Sequence, residues 1–183
     1  MMKKKFLFIS ILFLTTQILF AQDVVSGKSL PFFDGFDSNK NNWPEGNDAK
    51  RDISVRNGSY HFEHKREKGG WESHVSVNIN TDKDFKIETL SIKKSGVDGY
   101  GYGLTFGGDD KGSFYAFNIT SDGYYRISKN DNGSFKDLVA WTKSSAIKQG
   151  STGKYNILRI EKIGNKISYL INSTTVSTLD FEH

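Results

Sequence analysis

The chain has 183 residues, with 25 Lys+Arg against 21 Asp+Glu, a formal charge of +4 and no cysteine. Three of those lysines, Lys3, Lys4 and Lys5, stand at the very start, leaving 22 basic against 21 acidic residues interleaved along the rest. That balance excludes the one-sided basic stripe of a nucleic-acid binder, and the lack of cysteine excludes thiol nucleophiles, thiolate metal centres and disulfide staples.

Taken in chain order, the lysines are followed by an apolar run from Phe6 to Phe20, interrupted only by Ser10, Thr15, Thr16 and Gln17, and then by Ala21. A short positive segment, a short apolar run and a small residue before the cut predict a secretory signal peptide over 1–21. The run is shorter than the roughly 20 apolar residues of a spanning helix. No cysteine follows it, so a lipid-anchored start is excluded. The prediction is an exported protein, periplasmic, on the cell surface or extracellular. Residues 22–31 read as a short leader and 32–183 as one domain, long enough to bury a single core without staples.

Proline occurs only at Pro31 and Pro44, so Gly, Asn, Asp and Ser make the turns. Turn signals such as Asn57-Gly58, Asp98-Gly99, Asp122-Gly123, Asn132-Gly133, Gly164-Asn165 and Asn172-Ser173 recur mostly every 8 to 16 residues. Short runs at that spacing predict an all-β sandwich or barrel. Ser144 to Lys148 is the best helical stretch and offers a single turn at most.

Side chains alternate between the two faces of a strand. Tyr60 and Phe62 therefore oppose His61 and Glu63. Phe85 and Ile87 oppose Lys86 and Glu88, while Leu90 and Ile92 fall on the other parity, which calls for a bulge or a change of burial side. Tyr100, Tyr102, Leu104 and Phe106 share an apolar face, against Gly101, Gly103, Thr105 and Gly107. Tyr115, Phe117 and Ile119 are expected inside. Tyr125 and Ile127 are also expected inside, with Tyr124, Arg126 and Ser128 outside. Leu158 and Ile160 oppose Ile157 and Arg159, and Ile167, Tyr169 and Ile171 alternate with polar residues. One apolar face per strand predicts a two-layer antiparallel β-sandwich, with the aromatics from Tyr100 to Tyr125 at its centre.

Several segments together resemble one family. They are Phe33-Asp34-Gly35-Phe36-Asp37-Ser38 with Asn41-Asn42-Trp43, Asn57-Gly58-Ser59-Tyr60, Asp84-Phe85-Lys86-Ile87-Glu88, Gly101-Tyr102-Gly103-Leu104-Thr105-Phe106-Gly107, Phe114-Tyr115-Ala116-Phe117, Gly123-Tyr124-Tyr125-Arg126-Ile127, and Asn156 to Lys166. The chain resembles the concanavalin A-like lectin/glucanase jelly roll, in the secreted bacterial branch related to laminin-G-like domains and to 3-keto-disaccharide hydrolases. The resemblance covers nearly all of 32–183 and implies a jelly roll with sugar-related chemistry. Such domains usually carry further strands after the one at Ile167 to Ile171, so the resemblance implies either a jelly roll lacking its final strands or a sandwich closed differently, and an unclosed edge near Thr174 to Phe181 would invite a partner strand.

Catalytic and metal motifs do not emerge. A retaining glucanase needs two carboxylates about 5 Å apart, and the Glu-x-Asp-x-x-Glu run that the family uses is missing. Glu63 with Glu67, and Asp109 with Asp110, read as solvated turn charges. His61 and His64 lie three apart on a strand, so their rings face opposite ways and share no metal. No catalytic residue and no metal ligand is assigned. Calcium at the Asp109-Asp110 turn is the one cofactor to consider, since Asn130-Asp131-Asn132-Gly133 reads as a hairpin turn rather than a calcium loop. What remains is a surface. His61, Glu63, Glu88, Asn118, Tyr124 and Arg126 face away from the aromatic core, Gly101 and Gly103 leave open space beside them, and Trp71, in a polar loop after Gly69-Gly70, is the exposed aromatic. Trp43 and Trp141 read as core or edge packing. The leading reading is a non-catalytic module for a glycan or another extracellular ligand. The alternatives are a glycoside or keto-disaccharide hydrolase using Glu63, Glu88 and His61, and an assembly domain docking through its open edge.

Overall fold

The computed structural model describes residues 22–25, 28–66, 69–109, 111–150 and 153–182, with side chains from residue 32 onward. The signal peptide expected over 1–21 lies outside them, as do Glu67, Asp110 and His183. Among the described residues the protein is all-β, without a helix, and every strand pairing is antiparallel.

Two four-stranded sheets form the sandwich. The first is a meander of β7 (Tyr102–Phe106), β8 (Phe114–Ile119), β9 (Tyr124–Asp131) and β10 (Ser134–Lys143). The second orders as β13 (Thr174–Asp180), β12 (Lys166–Ile171), β11 (Tyr155–Ile163) and β6 (Phe85–Ile92). The chain thus leaves the second sheet at β6, builds the whole first sheet, and returns at β11 beside β6. A three-stranded sheet of β3 (Gly46–Asn47), β4 (Arg51–Arg56) and β5 (Ser59–His64) precedes them. Ahead of these lies a two-stranded pair, β1 (Gln22–Val25) with β2 (Lys28–Pro31).

The turns follow the sequence chemistry. Asn57-Gly58 and Asn132-Gly133 are two-residue loops with φ of 53° and 66°, and 49° and 90°, the left-handed pair that a twisted hairpin requires. Residues 144–148 form a turn and no helix. They are held by Asn156, fully buried, whose amide accepts from the Lys148 N–H at 2.8 Å and donates to the Lys148 carbonyl at 3.2 Å.

The core lies between the two sandwich sheets, where the period-two pattern aims it. Phe117, Ile119, Ile127, Leu158, Ile160 and Ile171 are fully buried, and Tyr102, Leu104 and Phe106 pack against them half-buried. Phe117 of the first sheet meets Tyr169 of the second edge-on at 5.3 Å. Phe106 reaches the same ring at 6.3 Å and stacks on Tyr115 at 5.4 Å. The Tyr125 hydroxyl crosses the gap to donate to the Val176 carbonyl at 2.8 Å. At one end Lys162 is buried in the aliphatic row of β11; its ammonium donates to the Lys83 carbonyl at 3.2 Å and lies over Phe181. A buried cation is tolerated there because its stem packs while its head keeps a partner.

Three sequence expectations are corrected. Tyr100 is 63% exposed, because β7 begins only at Tyr102 and Tyr100 sits in the preceding turn. β6 neither bulges nor changes side: it pairs with β11 in unbroken register, and Leu90, 55% exposed, simply stands on the outer face with Ile92. Ser128 is 1% exposed rather than open, being a short side chain in mid-sheet between Ala116 and Asp137.

Ahead of the sandwich, Asp34 organises a corner. Its carboxylate accepts from the Phe36 N–H at 2.7 Å, the Asn41 amide at 2.7 Å and the Trp43 indole at 2.8 Å. Trp43 packs on Tyr60 of β5 at 4.9 Å and on Phe36 at 5.5 Å, so its reading as packing holds. Burial pushes the Asp34 carboxyl upward, but the three donors outweigh it and hold it below the usual carboxylate range. A group depressed in the folded state stabilises at neutral pH and loses that contribution as pH falls through its own range. Asp34→Asn should therefore cost about 1–2 kcal/mol at pH 7 and less at pH 3, measured by urea unfolding; an equal gap at both pH values would count against the corner. A second prediction concerns Gly103. A Cβ there would lie 2.1 Å from the Phe117 carbonyl oxygen, so β7 and β8 would have to separate. Gly103→Ala should destabilise by about 1–3 kcal/mol, while Gly70→Ala, with open space around it, should be close to neutral in the same melts.

Candidate functional site

The outer face of the first sandwich sheet carries the best-defined constellation. Parity dictates its members. With Phe117, Ile119, Tyr125 and Ile127 turned inward, Asn118, Tyr124 and Arg126 turn outward, and Asn118 and Arg126 stand directly opposite one another on β8 and β9. The structure thus brings together three of the seven residues singled out from the sequence.

β10 supplies the rest. It is an edge strand with two register shifts against β9, one between Asp137 and Val139 and one between Val139 and Thr142. Bulges twist a strand and re-aim its side chains. Together the two shifts slide Trp141 along β9 from the level of Tyr124 to that of Arg126 while keeping it on the outer face, 42% exposed, with its indole reaching across the sheet to Gly101, just ahead of β7 on the opposite edge. A Cβ on Gly101 would stand 2.9 Å from the far ring carbon of Trp141. The space expected above Gly101 is therefore filled by the indole. The absent side chain of Gly103 serves the close approach of β7 to β8 instead. The Arg126 guanidinium lies 5.9 Å from the Trp141 ring and donates to Asp137 at 2.6 Å, so its plane and charge are fixed from below and from the side. The result is an exposed aromatic plate beside the paired Arg126 and Asp137, on a sheet face that Asn118 and Tyr124 share.

The other four predicted residues lie elsewhere. Trp71 is not the open platform that its loop position suggested: it is half-buried, with the guanidiniums of Arg51 and Arg66 each 4.7 Å from its ring. Two cations on an aromatic are a stabilising clamp. Trp141, expected as core or edge packing, is on edge strand β10 and packs over Gly101 while keeping 42% exposure. Glu88 stands on the outer face of the second sheet and accepts from Arg159 at 2.5 Å, so its carboxylate is already engaged. It is on a different sheet from Glu63.

His61 and Glu63 project from one face of β5, and His64 from the other, as their spacing requires. Asp52 of β4 pairs directly with Glu63 and shares its face. One ligand atom from each of Asp52, His61 and Glu63 lies within 4.8 Å of the others. The sequence reading missed this grouping because Asp52 is remote in the chain and joins it only through hairpin register. The Asn57-Gly58 turn, which fixes that register, was the available signal. At Asp109, the carboxylate accepts from the N–H groups of Lys111 and Ser113 at 2.9 and 2.8 Å. These bonds, the one from Ser113 foremost, hold the carboxyl below its ordinary range. One of its oxygens is thereby committed to the turn where calcium was considered.

No protein-family model and no curated protein matches the chain. Among solved structures, it is similar to the carbohydrate-binding module CBM66 from Bacillus subtilis, at 22% identity over 55% of this chain and with a TM-score of 0.43. The chain spans 60% of the length of that module.

Proposed function

We propose that the protein is a non-catalytic binding module for a glycan, using the outer face of the β7–β10 sheet. The observation that carries this reading is the Trp141 indole, exposed and seated over Gly101 with the Arg126 guanidinium beside it. A sugar ring offers an apolar C–H face and a polar hydroxyl rim. An exposed indole takes the first, and the guanidinium, carboxylate, amide and phenol groups of the same face take the second. Asp137 balances Arg126, so the site carries no net charge of its own from this pair and suits a neutral sugar.

The exported location read from residues 1–21 fits a ligand outside the cytoplasm, and the resemblance to concanavalin A-like jelly rolls fits a sugar-binding sandwich. Among the described residues no helix is long and apolar enough to cross a membrane. The engagement of Glu88 by Arg159, apart from Glu63, weighs against the hydrolase alternative.

The test is affinity electrophoresis and pull-down over a panel of soluble and insoluble polysaccharides. Trp141→Ala should weaken binding by about 2 kcal/mol, roughly thirtyfold, and Tyr124→Ala should weaken it less. Trp71→Ala should leave binding unchanged. Absence of binding to every polysaccharide, or binding indifferent to Trp141→Ala, would overturn the proposal.

A further inference from the structure

The β4–β5 hairpin carries a second constellation, independent of the Trp141 face. Asp52, His61 and Glu63 point from the same side of two strands locked by a two-residue turn, and their ligand atoms converge within 4.8 Å. The groups converge without satisfying one another. His61 Nε2 is 4.0 Å from Asp52 Oδ2, too far for a hydrogen bond. The Glu63 carboxylate, on the exposed side, makes no hydrogen bond or ion pair among the described residues. Two carboxylates facing one another across a strand pair repel, and the single Arg56 guanidinium beside Asp52 offsets only one of the two charges.

Arg56 also enters the group, its guanidinium 3.2 Å from Asp52 Oδ2. It engages only that oxygen and leaves Oδ1 for another partner. A basic side chain behind a ligating carboxylate is an ordinary orienting contact in a metal site.

We infer that Asp52, His61 and Glu63 form a binding site for a divalent transition-metal ion such as zinc. One imidazole nitrogen with two carboxylate oxygens is a donor set suited to Zn2+ or Mn2+ rather than to calcium, which prefers oxygen alone. Three protein ligands on an exposed face leave the remaining positions to water. The ion bridges β4 to β5 and relieves the facing carboxylates, so it stabilises the hairpin when bound.

The test uses the full exported chain, stripped with a chelator and titrated calorimetrically with Zn2+, and separately with Ca2+. One equivalent of Zn2+ should bind and raise the melting temperature, with Ca2+ much weaker. His61→Ala and Glu63→Gln should each weaken Zn2+ binding at least about tenfold while melting like the parent in chelator. His74→Ala, removing an exposed histidine outside the group, should bind as the parent does. No saturable binding in the parent, or one-to-one binding that survives both His61→Ala and Glu63→Gln, would overturn the inference. Polysaccharide binding through Trp141 is read separately and is expected to be unaffected by either variant.

Discussion

The edge-to-face meeting of Phe117 and Tyr169 is the contact on which the rest of the sandwich depends. Each ring sits at the middle of its sheet and both are fully buried. The pair fixes how the β7–β10 meander lies on the β6–β11–β12–β13 sheet, and Phe106 and Tyr115 extend the same aromatic row. Once Phe117 is committed inward, alternation along β8 commits Asn118 outward. Alternation along β9 does the same for Arg126 beside Ile127. The surface proposed to bind a glycan is thus a consequence of core packing rather than a separate design.

What the core does not dictate is the position of the aromatic plate. That depends on the edge. A regular β10 would carry Trp141 in strict register above β9. The two bulges break that register and lay the indole along the sheet, where the missing side chain of Gly101 receives it. The same bulges leave β10 a poor template for another strand. β13 is the other strand of interest as an edge. Among the described residues it pairs with β12 alone, also carries a register shift, and turns Val176 and Leu179 toward the core.

Much of the fold was legible in the sequence for a physical reason: where one face is buried, burial and alternation are the same statement. Phe117 with Ile119, Leu158 with Ile160 and the Asn-Gly turns all fell where period two and turn chemistry put them, whereas Phe62 shares a face with Tyr60 yet is 37% exposed. The failures lie where that equivalence ends. Tyr100 belongs to a turn, so parity says nothing about it. Leu90 and Ile92 are apolar residues on an outer face, which no burial rule forbids. The candidate site was half legible. Asn118, Tyr124 and Arg126 follow from parity, but Trp141 needed the bulges, the Trp71 clamp needed Arg51 and Arg66 to come together in space, and Asp52 needed the hairpin register to reach His61 and Glu63.

The account stands on the two sheets meeting through their aromatic rows, and a double-mutant cycle on Phe117→Leu and Tyr169→Leu measures that meeting directly. Urea unfolding of the parent, both single variants and the double variant should give a favourable coupling of about 0.5–1.5 kcal/mol between the rings. Additivity within about 0.3 kcal/mol would mean that the rings do not touch, and the assignment of inner and outer faces would fall with them.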